Sequence, residues 1–423
     1  MGGAAFAHAA ADGQPTLRTP RMSPDTYAKL KGIYTQRLID YFPGCAVTQL
    51  QEAPEKLDYG DIDFMIGSDK PFDAMHLATS LGAAGIISYG GLCMIAVPVS
   101  GEKYSSAPIR YTNLNSQKGR EPSDQLSSEV YAQIDIDLAK PDLFAWHAFY
   151  ASYGDLSGLL GQIMHNLGFT VSDKGIILRL KELDDAKASE IHLRVTDKQG
   201  QLHLSNDPDQ VMRFLGLDAT RYRGGFGTLR DFYAWLAECR LLTADYVGNL
   251  QYKRKDTSNQ RQKEHKRPMI SNFFISYLPV NMDETIDENN NPAALGECLL
   301  HRRQQWREEA IEFFSKHEEL NKLRDDLSTS IANQTADFLI KPMVLAHYGG
   351  SKDKVHEIIR AIRRWVGFEN GQPKILSISH SDDESQLRFW LSGSTLRDPK
   401  AVDDWIRDNW GRCRALEREK SKT

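Results

Sequence analysis

The sequence predicts an α+β fold: a mixed β-sheet with flanking helices, followed by a mainly helical C-terminal domain. Three observations predict it. Apolar and β-branched runs bounded by turn residues recur between Cys45 and Ala139, as strands do. Segments with helical apolar spacing, N-caps and glycine stops lie between and after those runs. From Ala293 onward the pattern is mostly helical.

The elements follow in order. Residues 1–22 are expected to be disordered. A helix starts at Ser23 as N-cap, with Pro24 at its first position and Asp25 in the first turn, and buries Tyr27, Leu30, Tyr34 and Leu38. Strands are expected at CAVTQL (45–50) and YGDIDFMI, and at GIISY (85–89) and LCMIAVPV (92–99), the last two joined by a Gly-Gly turn. A polar loop, Ser100 to Ser128, leads to the strand VYAQIDIDLA (130–139). Leu156, Leu159, Leu160, Ile163, Met164 and Leu167 share one helix face, and Gly168 stops that helix. Asp207 and Pro208 open a helix closed by Gly216, and Thr228 caps another. This gives a first domain over 23–245, a basic then acidic linker over 246–292, and a helical domain over 293–423. The helical domain reads as a long segment over 294–340, a helix from Lys352 to Val366, a hairpin at 374–392 and a last helix from Pro399. There is no internal repeat.

Composition excludes several classes. At 423 residues the chain can bury sizeable cores, and a net charge of −5 rules out a uniformly basic, nucleic-acid-coating surface. The five cysteines, Cys45, Cys93, Cys239, Cys298 and Cys413, are scattered, so no zinc cluster or disulfide framework is expected. The N-terminus lacks a basic n-region, Phe6 stands where myristoylation needs Ser or Thr, and no apolar run reaches membrane-span length. An intracellular protein, cytoplasmic or nuclear, with no membrane partner is expected. The basic run 252–267 reads as an import signal, a nucleic-acid patch or a solvated linker. Arg360, Arg363 and Arg364 lie opposite Val355, Ile358, Ile359 and Ile362, the pattern of an ordinary amphipathic helix or of a phosphate-contacting face. Tyr233, Trp235, Trp390, Trp405 and Trp410 are assigned to packing, and His147, His165 and His347 to structure.

The chemistry lies in two acidic strands. Side chains alternate across a strand, so Asp61 and Asp63 share a face, as do Asp135 and Asp137 in QIDIDL. Like charges on one face repel unless a divalent cation sits between them, and all-oxygen ligands suit Mg²⁺ or Mn²⁺. If the strands are neighbours, their carboxylates can hold two cations about 3.5–4 Å apart, enough to clamp a nucleoside triphosphate and activate a hydroxyl. The alternative for each D-x-D is a turn or a solvated strand end.

Gly60-Asp61-Ile62-Asp63-Phe64 with Ile134-Asp135-Ile136 resembles the palm of the nucleotidyltransferase superfamily, most closely that of family X, polymerase beta-like DNA polymerases. Tyr153-Gly154-Asp155 entering a helix, Gly168-Phe169-Thr170 and Val211-Met212-Arg213-Phe214-Leu215-Gly216-Leu217 follow in the family's order. The resemblance implies that Asp61 and Asp63 bind both metals. Asp135 binds the catalytic metal and activates the acceptor hydroxyl, with Asp137 as a further metal candidate. Tyr153 and Gly154 lie near the incoming nucleotide. In place of the family's Gly-Ser turn the chain has VTQLQEAPEKLDYGD, which leaves Thr48, Gln49 or Gln51 to meet the triphosphate. Asp137 stands where an arginine is common.

The implied activity is transfer of a nucleoside monophosphate from a triphosphate to a hydroxyl, dependent on Mg²⁺ or Mn²⁺, with a nucleic acid, a protein or a small molecule as acceptor. The alternative is a nucleotidyltransferase fold without catalysis, binding nucleic acid or a protein. A helical adaptor on an unrelated α/β domain stays open unless Asp63 and Asp135 are neighbours.

Overall fold

The structure is a computed structural model that describes residues 5–8, 16–89, 92–103, 109–113, 126–182, 197–243, 246–247, 267–281, 292–381 and 384–421. The expected Gly-Gly turn at 90–91 and the basic run up to residue 266 lie outside the described residues. The chain forms two compact units, Met1–Ile177 with Leu204–Ala310, and Leu178–His203 with Ile311–Thr423.

The first unit is built on a mixed seven-stranded sheet. Its strands are β1 (Thr16–Arg18), β2 (Ala46–Gln49), β3 (Asp61–Gly67), β4 (Gly85–Tyr89), β5 (Leu92–Pro98), β6 (Arg110–Asn113) and β7 (Leu126–Ala139). Their order is β2-β3-β7-β5-β4-β6, with β1 added alongside the start of β7. The β3–β7 and β4–β6 pairs are parallel, while β2–β3, β5–β7 and β4–β5 are antiparallel. An α+β fold with a mixed sheet is therefore what the chain adopts. The polar loop before β7 contributes β6 as an edge strand.

One face of the sheet is closed by α1 (Pro24–Tyr41) and α2 (Ala74–Leu81). α1 begins where expected, because the Ser23 hydroxyl accepts the Thr26 N–H at 3.3 Å and Pro24 has no N–H to lose. Asp73 caps α2 by accepting from Met75 and His76 at 2.9 and 3.0 Å. Tyr27, Leu30, Tyr34 and Leu38 of α1 and Leu77, Ala78 and Leu81 of α2 pack on Ile62, Phe64, Ile66, Ile95, Ile134 and Ile136. Further helices complete the unit: α3 (Phe144–Ala151), α4 (Leu156–His165), α5 (Pro208–Leu215), α6 (Ala219–Gly224) and α7 (Leu229–Ala237).

The expected disorder of 1–22 gives way to structure where the chain meets the sheet's other face. A 3₁₀ turn at Ala5–His8 and strand β1 bring Phe6 and Leu17 onto Ala84, Ile87, Met94, Ala96 and Tyr131. A Cβ on Gly85 would lie 2.4 Å from Leu17 Cδ1, so the glycine makes the seat for this strap.

In the second unit the long expected helix is two, α8 (Pro292–Phe313), which begins in the first unit, and α9 (His317–Tyr348), separated by Ser315 at φ +53. α10 (Lys352–Trp365) leads into a hairpin of β8 (Val366–Glu369) and β9 (Gln372–Ile375), and α11 (Pro399–Lys420) ends the chain. The hairpin turns on Asn370 and Gly371, both at positive φ (51° and 77°), the geometry an Asn-Gly pair favours. It overlaps the expected 374–392 only at its start, and a second short antiparallel pair, Leu391–Ser392 with Thr395–Leu396, meets its other end. The arginine face of α10 is engaged in ion pairs. Arg363 meets Asp337, Arg364 meets Glu417 at 2.8 Å, Arg360 stands 4.0 Å from Glu417, and Glu417 accepts the Trp365 indole N–H at 3.0 Å. Trp390, Trp405 and Trp410 pack as expected, and His347 pairs with Asp403 at 2.8 Å.

Gly85→Ala is expected to destabilise the first unit by about 1–3 kcal/mol by overpacking the strap. Combining it with Leu17→Ala should cost less than the sum of the two changes, because the obstructing Cδ1 is gone. Chemical denaturation of the single and double variants measures both, and strict additivity would remove the strap from the account.

Candidate functional site

The carboxylates meet because of strand alternation and register. On β3, Ile62, Phe64 and Ile66 turn into the helix-covered core, which places Asp61 and Asp63 on the other face. On β7, Ala132, Ile134 and Ile136 enter the same core, which leaves Gln133, Asp135 and Asp137 on the acidic face. The parallel register sets Asp63 directly opposite Asp135 and Asp61 opposite Gln133. One oxygen from each of Asp61, Asp63 and Asp135 lies within 4.8 Å of the others. Two ligand oxygens on one octahedral ion at 2.0–2.1 Å stand about 3–4 Å apart. These oxygen donors therefore fit a hard divalent ion after small rotations. The neighbour requirement set by the sequence is met.

Asp137 is not in this group. It is exposed and sits opposite Met65; burial raises its pKa, with the charge of His147 opposing the rise. Two strand residues carry it roughly 6.6 Å past Asp135.

Crowding of acids in a partly desolvated place raises their pKa. Asp63 is pushed up to about 7, by burial first, then by Asp61 and Glu52, with Lys56 and Lys31 opposing. Asp135 is also pushed up to about 7, by burial first. The hydrogen bond from Gln133 opposes that rise, and Asp61, Asp63 and Asp137 add to it. The two carboxyls face each other across one strand gap and titrate as a pair.

Asp135 is oriented from behind. Gln133, 2% exposed, donates its Nε2–H to Asp135 Oδ1 at 2.8 Å and accepts the Ala5 N–H at 3.2 Å. The N-terminal strap thus holds the side chain that holds Asp135. Alternation already puts Gln133 on the acidic face, one step before Asp135, and that signal was open to sequence reasoning.

The segment 50–60 rims the site. It leaves β2 with the Leu50 N–H donating to the Asp63 carbonyl at 3.3 Å, and it returns through reciprocal Met22–Tyr59 backbone bonds at 2.6 and 3.0 Å. Tyr27 and Tyr59 stack with centroids 3.8 Å apart. Lys31 Nζ lies 5.2 Å from the Tyr27 ring centroid and Lys56 Nζ 5.7 Å from that of Tyr59. Glu52 accepts the Tyr27 hydroxyl at 2.7 Å and forms an ion pair with Lys56. Lys31 flanks the apolar stripe of α1, and no sequence signal separates it from an ordinary surface lysine.

The nucleotide-contact candidates fall differently. Gln49 pairs with Phe64 on the helix-covered face and donates to the Thr35 hydroxyl, so it turns away from the carboxylates. Gln51 has an exposed side chain, while its backbone accepts from Tyr153 N–H at 2.6 Å and donates to Ser152 Oγ at 3.1 Å. Tyr153, at φ +56, is 1% exposed among Tyr222, Phe226 and Phe232, with its hydroxyl on the Tyr222 carbonyl at 2.7 Å. It presents no free ring face. Gly154, at φ +66, forms the turn with Tyr153 between α3 and α4, beside Ala53.

No protein-family profile matches the chain, and no curated protein matches it. Among solved structures it is similar to Leishmania infantum polymerase beta in a ternary gap complex, at 11% identity and a TM-score of 0.30. That alignment covers 47% of this chain and 68% of the other. A likeness of that size carries no argument, and the reading rests on the strands themselves.

Two outcomes follow from the geometry. Without metal, Asp63 binds protons in the folded state up to about pH 7, above the ordinary aspartate value, so its ionisation opposes folding as pH rises through that range. Asp63→Asn should therefore raise the melting temperature of metal-free protein at pH 8 more than at pH 5. An equal change at both pH values would contradict the assigned burial and repulsion. Separately, Gln133→Leu should weaken Mn²⁺ binding by about 10–100-fold, the usual scale for a residue that orients a ligand. Calorimetric titration of folded variant protein measures it.

Proposed function

We propose that the chain is a metal-dependent nucleotidyltransferase that moves a nucleoside monophosphate from a triphosphate to a hydroxyl acceptor. The observation that carries the reading is the in-register pairing of Asp63 with Asp135 beside Asp61. An acidic trio on the open face of a sheet, held by a core on the other, is a poor surface and a good cation site.

Asp61 and Asp63 would hold both ions, and Asp135 would hold the one nearer the acceptor. The bound ions, Mg²⁺ or Mn²⁺, supply a Lewis acid for the reacting phosphate and lower the pKa of the attacking hydroxyl. Asp135, held by Gln133, would take the proton from that hydroxyl. Gln51 and Gly154 rim the same loop region, and of the expected nucleotide contacts they remain accessible for that role. Asp137 stands by the rim as an outer acidic group. Among the described residues no helix is long and apolar enough to cross a membrane. A nucleic acid, a protein or a small molecule remains the acceptor class to be identified.

The enclosure of Tyr153 and the turn of Gln49 into the core favour the second reading, a nucleotidyltransferase fold that binds nucleic acid or a protein without catalysis.

One experiment separates them. Purified protein is incubated with labelled nucleoside triphosphates, Mg²⁺ or Mn²⁺, and a panel of DNA, RNA, protein and small-molecule acceptors. Transfer by the wild type should fall on the order of 10²–10³-fold or more in Asp63→Asn, the scale of losing several kcal/mol of metal-borne stabilisation. Metal-dependent nucleotide binding without transfer to any acceptor supports the binding reading. Full activity in Asp63→Asn removes the assignment.

A further inference from the structure

We infer that Lys31 and Lys56 form the polyphosphate subsite of this chain and that Glu52 occupies it in the free protein as a stand-in anion. The inference rests on the transferase reading for its substrate class and deepens it.

Bound divalent ions would offset the carboxylate trio, and fixed cations beside it would meet the remaining charge of a triphosphate. Residues 49–51 supply no such cradle: Gln49 faces the core, and Gln51 commits its backbone to Ser152 and Tyr153. The cations come instead from α1 and from the loop. Lys31 reaches the carbonyl of Leu50, the residue whose N–H bonds the Asp63 carbonyl at 3.3 Å, and Lys56 is tied to the same segment through Glu52, which accepts the Tyr27 hydroxyl. Each ammonium lies over one ring of the stacked Tyr27–Tyr59 pair, so the two aromatic rings fix where the two charges can be. Among the described residues the polar contact of Lys31 is the Leu50 carbonyl at 3.5 Å, a long and weak bond that leaves its charge poorly satisfied. Burial pulls its pKa below the usual lysine value, and Glu52 and Asp63 hold it up.

Glu52 is the anion between them. It takes the Tyr27 hydroxyl and pairs with Lys56, and its charge also acts on Lys31 and raises Asp63. A surface i,i+4 pair contributes little to stability. Here the same carboxylate is tied to an aromatic hydroxyl, and its charge adds to the repulsion felt by Asp63. A bound polyphosphate would take over both lysines and displace Glu52 from Lys56. The loop keeps its course meanwhile, because Glu55 accepts the Leu229 N–H at 3.1 Å and Tyr59 stays paired with Met22.

The test uses inorganic tripolyphosphate as probe, with the full chain, in the presence and absence of Mn²⁺, by calorimetry. Lys56→Gln and Lys31→Gln should each weaken binding about tenfold, the worth of one charge-assisted contact. Glu52→Gln keeps an acceptor for Tyr27 but removes the competing charge, so it should tighten binding severalfold. That gain should vanish in Glu52→Gln combined with Lys31→Gln and Lys56→Gln, since it acts through the lysines. Circular dichroism and melting curves of each variant confirm folding, which the exposure of Lys56 favours. If the lysine variants bind like wild type, or if Glu52→Gln tightens binding equally without the lysines, the subsite assignment is overturned. Lysine-dependent binding that Mn²⁺ does not strengthen, in wild type or Asp63→Asn, supports the subsite and removes the transferase reading. Mn²⁺ binding that needs Asp63, together with lysine-independent tripolyphosphate binding, does the reverse.

Discussion

The parallel pairing of β3 with β7 is the constraint on which the rest depends. A strand's side chains alternate with period two, so a slip of one residue would send Asp61 and Asp63 into the core and Ile62 and Phe64 out of it. The register is held by what lies beneath it. Ile62, Phe64 and Ile66 meet Ile134 and Ile136 under α1 and α2, and burying several such side chains favours this register by about 1.5–3 kcal/mol each. The repulsion of three carboxylates on the opposite face is the smaller, local cost of a register chosen by the core. Site geometry is thus a by-product of hydrophobic packing on the other side of the sheet.

Several elements converge on that acidic face to manage the charge. From one side the N-terminal strap covers the strands with Phe6 and Leu17 and reaches Asp135 through Gln133. From the other, α1 and the segment 50–60 bring Lys31 and Lys56 beside Asp63, with Glu52 set against them. The balance is uneven: burial and neighbouring acids outweigh the two cations, and both Asp63 and Asp135 hold their protons up to about pH 7. A divalent ion bound by the three carboxylates would offset that imbalance directly.

The second unit treats charge in the opposite way. Arg363 and Arg364 meet Asp337 and Glu417 at once, and the buried Glu417 is further satisfied by the Trp365 indole. Such pairs orient α10 against α9 and α11 and leave those two arginines committed to structure rather than to a phosphate. The buried Asn333 does similar work, donating to the Ser385 carbonyl and accepting from the Arg388 N–H, both at 3.0 Å. These polar groups are paired within the unit, while those of the acidic face are left facing one another.

What the sequence determined by itself was everything governed by period and by local chemistry. Alternation in YGDIDFMI and QIDIDL set which residues share a face, and Ser23, Asp207, Thr228 and Gly216 marked helix ends because capping is a matter of neighbouring backbone groups. The Asn370-Gly371 turn and the place of Gln133 obeyed the same local rules and were equally legible. Tertiary structure alone decided the rest. That Asp63 faces Asp135 depends on pairing residues 72 positions apart in the chain, which no local pattern encodes. The enclosure of Tyr153, the inward turn of Gln49, the ordering of Phe6 and Leu17 on the sheet, and the approach of Lys31 to Asp63 depend on which surface meets which. Burial and proximity, unlike period, are properties of the packed chain, and a residue's charge state follows from them only after the fold is complete.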